Sequence, residues 1–398
     1  MLKRIASIVL WILAGIIIVS IANDLLAYRV SRFASVEVGK YYEYSGVVDI
    51  HVMSSDGTYQ SIERLCDSLG LHFAIFVDRN DTEVMKEKLA HRFGVTLMVP
   101  AVEILPNDQS SSLLTIGDSM PLLPDAQISA DSVTRYALRK EDIVFLKLGS
   151  GSGTMTNADA GNGVKFSGIE LYNFDSGLKS QRNVAGVNKI IAAYFVSTFQ
   201  GEALDYLLQY PTEEMNAFDR LNMARKVVGI GSLGAGPSMK PGEREHSHFP
   251  RYEEMLELVH TIIVTRTSFN GLYQHDRDIL VNAIRNGNMY IGFSGLEHAR
   301  GFLFTARSDT SEVIMGDSIR LGKTTNLYIS MPDSGDVTTQ VVRNGEIIGT
   351  YTNASSITLP VTKSGEYRVQ AFESRTMLPF FTKRWFPWIL SNPIYVYE

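Results

Sequence analysis

The 398-residue chain has one cysteine, Cys66, which excludes an intramolecular disulfide and any thiolate metal cluster. No Gly-Lys-Ser/Thr follows the glycine-rich stretch at 149–163, so that stretch reads as a flexible loop and not a phosphate cradle. No Gly-x-Ser-x-Gly elbow is present to activate any of the serines. Low-complexity tracts are absent, and so is a basic cluster. The formal charge is −6, which speaks for solubility and against nucleic acid as a partner.

One long stretch lacks charge altogether. Ile5 to Ile21 (IASIVLWILAGIIIVSI) is uncharged and preceded by Lys3 and Arg4. It is at the short end of what spans a bilayer and longer than a usual signal-peptide core. The flanking cations predict a signal anchor over 1–28, with Met1 on the cytoplasmic side and the rest extracytoplasmic, periplasmic or at the cell surface. Ser20 and Ala22 leave open cleavage after Ala22 and secretion. Residues 29–40 read as a linker.

From 41 to 310, short apolar runs alternate with helical patterns: YSGVVDIHV, SIERLCDSLG, LHFAIFV, TEVMKEKLAHRFG, VTLMVPAVEI. Strand, helix, strand in this order predicts an α/β unit with parallel strands. Further strands are expected at IVFLKLG, GIELYNF and KVVGIGS, and helices over 184–208, 212–225, 252–265 and 276–287. From 311 to 398, short strands separated by turn residues predict a small β-sandwich. Asn344-Gly345 marks a two-residue hairpin turn there, because such a turn needs positive φ at both positions.

In parallel sheets, function gathers at the C-terminal ends of strands. His51, Asp78 and Glu103 each fall at or just past such an end. Asp78 and Glu103 read as a general acid/base pair or as ion-pair partners of Arg79. Arg79 and Lys147 together could form an anion-binding mouth. Gly229-x-Gly231-x-x-Gly234 matches a dinucleotide fingerprint, but GPSMKPG follows it where a helix is needed, so it reads as chance. His246, His248 and His260 lack an ordered acidic third ligand and read as a solvated loop before a helix. His275 with Asp276 reads as a helix start. Trp385, Phe386 and Trp388 read as packing, or as a ligand or membrane patch.

The stretch GVVDIHVMSSDGTYQSIERLCDSLGLHFAIFVDRND resembles the opening of the PHP (polymerase and histidinol phosphatase) superfamily, where a strand ends His-x-His, followed by Ser-Asp-Gly-Thr and, after a helix and strand, Thr-Asp-His. VPAVEIL resembles the strand carrying the next ligand. FPRYEEMLELVHTIIV, DILVNAIRNGNMYIGF and PWILSNPIYV resemble an exported subgroup with a C-terminal β-domain. The resemblance implies a distorted (β/α)7 barrel holding up to three metal ions over a phosphoester. Position by position, His51, Asp56 and Glu103 match ligand positions. Met53 and Arg79 stand where ligand histidines belong, Leu148 and Gly149 where His-Pro does, and Gly234 and Gly236 where an acid and a His do. Methionine suits copper(I) rather than zinc or manganese, and arginine cannot deprotonate to ligate.

The sequence therefore predicts an anchored PHP-like barrel followed by a β-sandwich, with metal-dependent hydrolysis lost, no cofactor, and a role in binding or assembly with a protein partner. Two alternatives stand beside it. One is a phosphoesterase with a reduced zinc, manganese or iron site at His51 and Glu103, helped by Asp56 or Asp78. The other is a small-anion or sugar-phosphate binder using Arg79 and Lys147.

Overall fold

The computed structural model describes Arg4, Trp11, Ala14 and Gly15, then residues 36–51, 58–78, 90–104, 112–117, 130–139, 141–147, 166–180, 208–234, 252–293, 299–309, 311–332, 335–377 and 382–398. In chain order the first half comprises β1 (Val36–Val38), β2 (Tyr41–His51), α1 (Thr58–Ser68), β3 (Phe73–Asp78), β4 (His91–Phe93), β5 (Thr96–Ile104), β6 (Ser112–Ile116), α2 (Ala130–Arg139), β7 (Ile143–Lys147), β8 (Gly168–Asn173), α3 (Phe174–Ser180), α4 (Thr212–Ala224) and β9 (Val228–Ser232). Then come α5 (Tyr252–Leu258), β10 (Val259–Thr265), α6 (Tyr273–Asn286) and β11 (Met289–Phe293). Among the described residues the remaining elements are all strands: β12 (Leu303–Arg307), β13 (Glu312–Ile314), β14 (Ser318–Arg320), β15 (Asn326–Ser330), β16 (Val337–Arg343), β17 (Glu346–Thr352), β18 (Ser356–Pro360), β19 (Gly365–Met377), β20 (Thr382–Ser391) and β21 (Ile394–Tyr397).

The expected α/β fold class, a (β/α)7 barrel with an added sandwich, is corrected by these pairings. Among the described residues the protein is mostly β, and seventeen strands join in one mixed sheet. Parallel pairing holds for β2–β3–β5 and for β7–β8–β9. Between those two sets, β6 runs antiparallel to both β5 and β7. On the other side of β2 lies antiparallel β10, followed by β11. Expecting a helix throughout 252–265 was also wrong: α5 stops at Leu258, and VHTIIVT continues as β10. Branched side chains at Thr261, Ile262, Ile263 and Val264 lose χ1 freedom in a helix and fit a pleated surface.

The C-terminal strands do not stand apart. β20 pairs antiparallel with β11, so β19, β20, β16, β17, β21 and β14 extend the same sheet. A second sheet, in the order β13–β12–β15–β18, packs on them. Phe304, Ala306, Leu327, Ile329 and Ile357 from that sheet share one core with Val341, Val369, Trp388 and Ile394. Trp388 is fully buried there, whereas Trp385 is exposed. The β16–β17 turn is as expected, with φ of 50° at Asn344 and 81° at Gly345. The expected helix at 212–225 is α4, and that at 276–287 is α6, which ends on Gly287 at φ 75° in a left-handed cap.

Among the described residues no helix is long and apolar enough to cross a membrane. Most of Ile5–Ile21, and all of the helix expected over 184–208 except Leu208, lie outside the described residues.

Candidate metal centre

Strand β2 is buried along nearly its whole length because β1, β3 and β10 flank it. Its apolar run is interrupted by Asp49. The β2–β3 register slips between Val47 and Ile50, so one extra residue is accommodated in β2. Asp49 absorbs it at φ 65°, a left-handed conformation that Asp tolerates better than most residues. Two residues apart on the strand, Asp49 and the strand-end His51 share a face and serve the same site.

Three further strands supply the rest. Glu103 comes from β5, Lys147 from the end of β7 and Glu170 from β8. The sheet curls so that the end of β9 returns to β2, with Leu233 N donating to Val48 O at 3.0 Å. His51 Nε2 lies 3.3 Å from Asp49 Oδ1 and 3.4 Å from Glu103 Oε2. The ligand atoms of Asp49, His51 and Glu103 all fall within 4.8 Å of one another, and all three residues are buried. Lys147 Nζ donates to Asp49 Oδ2 at 2.6 Å and lies 3.0 Å from Glu103 Oε1. The ammonium thus takes the carboxylate oxygens that the imidazole does not face. Glu170 accepts from Ser232 Oγ and, at 3.1 Å, from Asn173 Nδ2.

The electrostatics follow from this packing. Burial alone would raise the Asp49 carboxyl, but the Lys147 charge and His51 outweigh it and hold Asp49 well below the usual range. Burial would lower Lys147, yet Asp49, Glu170 and Glu103 together keep it above its ordinary value. Glu170 is pushed up to about 7, chiefly by burial, with the Asp49 charge adding and Lys147 opposing. The centre therefore holds two carboxylates against an ammonium, with a third carboxyl that takes up its proton near neutrality.

The donor set fits a divalent cation. Asp49 Oδ1 is buried and meets no hydrogen-bond donor with bonding geometry. It faces His51 Nε2 and Glu103 Oε2, giving two oxygens and one nitrogen in the group. Such a set suits zinc, manganese or iron, not copper(I).

Of the residues singled out in the sequence, His51, Glu103 and Lys147 meet here. Lys147 is engaged by two carboxylates, those of Asp49 and Glu103. Asp78 closes β3, but its side chain lies outside what is described, as do Met53, Asp56, Arg79, Leu148, Gly149, Gly236, His246 and His248. His260 is buried within β10, with Nε2 2.7 Å from Leu256 O. His275 Nδ1 sits 3.0 Å from Asp276 Oδ1, and Asp276 also accepts from Asn270 N and Gly271 N at the entry to α6. Gly229 donates to Asn392 Oδ1 at 2.8 Å and a Cβ on Gly231 would meet Ile291, so these glycines serve close packing. Sequence reasoning missed Asp49 and Glu170. Their one signal is an acid within an otherwise apolar strand, VVDIH and GIELYNF.

No protein-family model matches the chain, and no curated protein does either. Among solved structures it is similar to a two-domain protein from Bacteroides vulgatus containing a predicted PHP-like metal-dependent phosphoesterase, at 12% identity and a TM-score of 0.42 over 90% of this chain and 99% of the other. It is also similar to a candidate metal-dependent phosphoesterase from Bifidobacterium adolescentis, at 9% identity and a TM-score of 0.30 over 48% of this chain and 87% of the other.

Proposed function

We propose that the protein is a metal-dependent phosphoesterase with a reduced site, in which one divalent ion is held by Asp49, His51 and Glu103. The observation that carries this reading is the grouping of those three buried donors, with Lys147 bonded to the opposite carboxylate oxygens. It revises the expectation of no cofactor. The substrate class rests on the sequence resemblance, whose His51 and Glu103 positions both belong to the grouping.

A bound ion would supply Lewis acidity toward a phosphoryl oxygen and make water a competent nucleophile near neutral pH. The chain's own residues supply the rest. Lys147 fixes the backs of both carboxylates, so their other oxygens stay aimed at His51. It also offsets one of their two charges, which lowers the cost of keeping them out of water. Ser232 and Asn173 pin Glu170 behind this layer.

The test is elemental analysis of protein purified without chelator, together with hydrolysis of an aryl phosphate ester. About one zinc, manganese or iron per chain is expected, with turnover abolished in Glu103→Gln and in His51→Ala. A metal-free, inactive protein sinks the proposal. It would leave the rival reading, favoured by the 2.6 Å Lys147–Asp49 contact, that the ammonium serves as the site's own cation and hydrolysis has been lost.

A further inference from the structure

A second group of buried charges lies outside the metal centre, where α4 meets the C-terminal strands. Arg368 on β19 gives Nε and Nη2 to Asp219 on α4, at 2.6 and 2.7 Å, and Nη1 to Gln370 Oε1 at 2.6 Å. Two residues back on the same face of β19 stands Glu366, 6% exposed. Its Oε1 is fully buried and has no hydrogen-bond partner among the described residues.

Every element around Glu366 adds to this isolation. On α4 the facing group is Asp219, a second carboxylate, and on β19 it is Arg368, already engaged. On β21 it is Tyr395, directly opposite in the register, whose hydroxyl donates to Asn222 Oδ1 at 2.7 Å. The Lys226 ammonium lies 5.5 Å from the Tyr395 ring but donates to Gly316 O. In the β16–β17 turn, Asn344 holds the Glu366 backbone and not its carboxyl: Glu366 N donates to Asn344 Oδ1 at 2.9 Å, and Asn344 N to Glu366 O at 3.1 Å. Arg343 beside it gives Nε and Nη2 to Ser364 O. Burial pushes the Glu366 carboxyl up to about 8, with the Asp219 charge adding and Arg368 opposing.

We propose that this seam is a proton-operated joint, shut while Glu366 is a neutral acid and loosened when the side chain ionises. A neutral carboxyl can sit beside Asp219 without a countercharge. An ionised one sets two carboxylates against a single guanidinium in a buried site, where like charges repel strongly. The parts that give way are those resting on Asp219. They are α4 itself and the turn at Gly345, where a Cβ would lie 3.4 Å from Asp219 Cβ. Folding raises this carboxyl from 4.5 to about 8, so its stabilisation is complete below about 4.5 and is lost as pH rises to about 8. The opening equilibrium of the joint should grow about tenfold per pH unit across that window. None of these groups belongs to the metal centre, so the joint works with or without an ion there.

The test is hydrogen exchange of the full chain, read by mass spectrometry from about pH 5.5 to about pH 7.5. The segments followed are 340–347 and 212–225, with 326–331 in the second sheet as reference. Glu366→Gln keeps the shape and removes the ionisation. Divided by this variant, wild-type exchange in both segments should climb about tenfold per pH unit, and the reference should not. Asp219→Asn leaves Arg368 an acceptor but turns its charge over to Glu366, so the climb should flatten in that variant. A flat wild-type ratio overturns the proposal. An equal climb in the reference overturns it too, because Glu366 would then act on global unfolding and not on a joint. Should Glu366→Gln fail to fold, Asp219→Asn becomes the divisor: a climb against it supports the joint, and its absence sinks it.

Discussion

Replacing Lys147 by Met removes an ammonium from between two buried carboxylates while keeping an unbranched apolar stem. In chelator at pH 7 the variant must either keep an unpaired charge or bind a proton in its place. Leaving a partner unpaired in a buried bridge costs about 3–5 kcal/mol. Protonating one carboxyl of ordinary pKa near 4 costs about 4 kcal/mol at pH 7, at roughly 1.4 kcal/mol per pH unit, and about 1.4 kcal/mol at pH 5. The proton route caps the penalty. The variant should therefore be destabilised by about 4 kcal/mol at pH 7 and by only about 1–2 kcal/mol at pH 5. Urea titrations followed by circular dichroism at both pH values would measure this. An equal, small loss at both would refute the buried contacts of Lys147 with Asp49 and Glu103. The same variant separates the two readings of the site. If Lys147 orients metal ligands from behind, its removal weakens metal affinity roughly 10–100-fold. If instead manganese or zinc raises the melting temperature of the variant and leaves the wild type untouched, the ammonium occupies the seat.

Three other outcomes follow from the geometry. Glu170 has its pKa raised from 4.5 to about 7, so the folded state binds the extra proton between those values and stability falls as pH rises through that window. Glu170→Gln should erase about 3 kcal/mol of that fall, read as a smaller difference in urea midpoint between pH 5 and pH 8 than in the wild type. Asp219 on α4 takes both Nε and Nη2 of buried Arg368 on β19, at 2.6 and 2.7 Å. Asp219→Ala should cost about 3–5 kcal/mol by stranding the guanidinium, whereas the double variant with Arg368→Met should recover most of it. Gly316 sits at φ 88°, and a Cβ there would lie 2.4 Å from Asn286 O, so Gly316→Ala should lose at least about 2 kcal/mol in denaturant titration.

How much of this was legible in the sequence differed residue by residue. His51 and Glu103 were visible because each lies at or next to the C-terminal end of a strand, where strands leave the core. Lys147 was visible for the same reason, but its task was not. Only the curl of the sheet sets β7 against β2, and that curl depends on pairings between distant strands. Asp49 stands two residues before His51, so strand alternation already set it on the same face, but the resemblance puts the second ligand at Met53 and drew attention there. The α/β expectation failed where local pattern and tertiary pairing diverge. SLLTI is too short to announce that β6 runs backwards between parallel strands. HTIIVT extended a helical pattern although its branched residues fit a strand. The Asn344-Gly345 turn needed no partner to be read, because its backbone requirement is local.

The bond between β20 and β11 has a consequence for how the chain is made. Met289–Phe293 leaves the ribosome well before its neighbour Ile389–Ser391. Until then one edge of β11 has no native cover, and an uncovered edge is a template for any other strand in reach. A chain cut before β20 would leave open a strand that lies in the middle of the finished sheet.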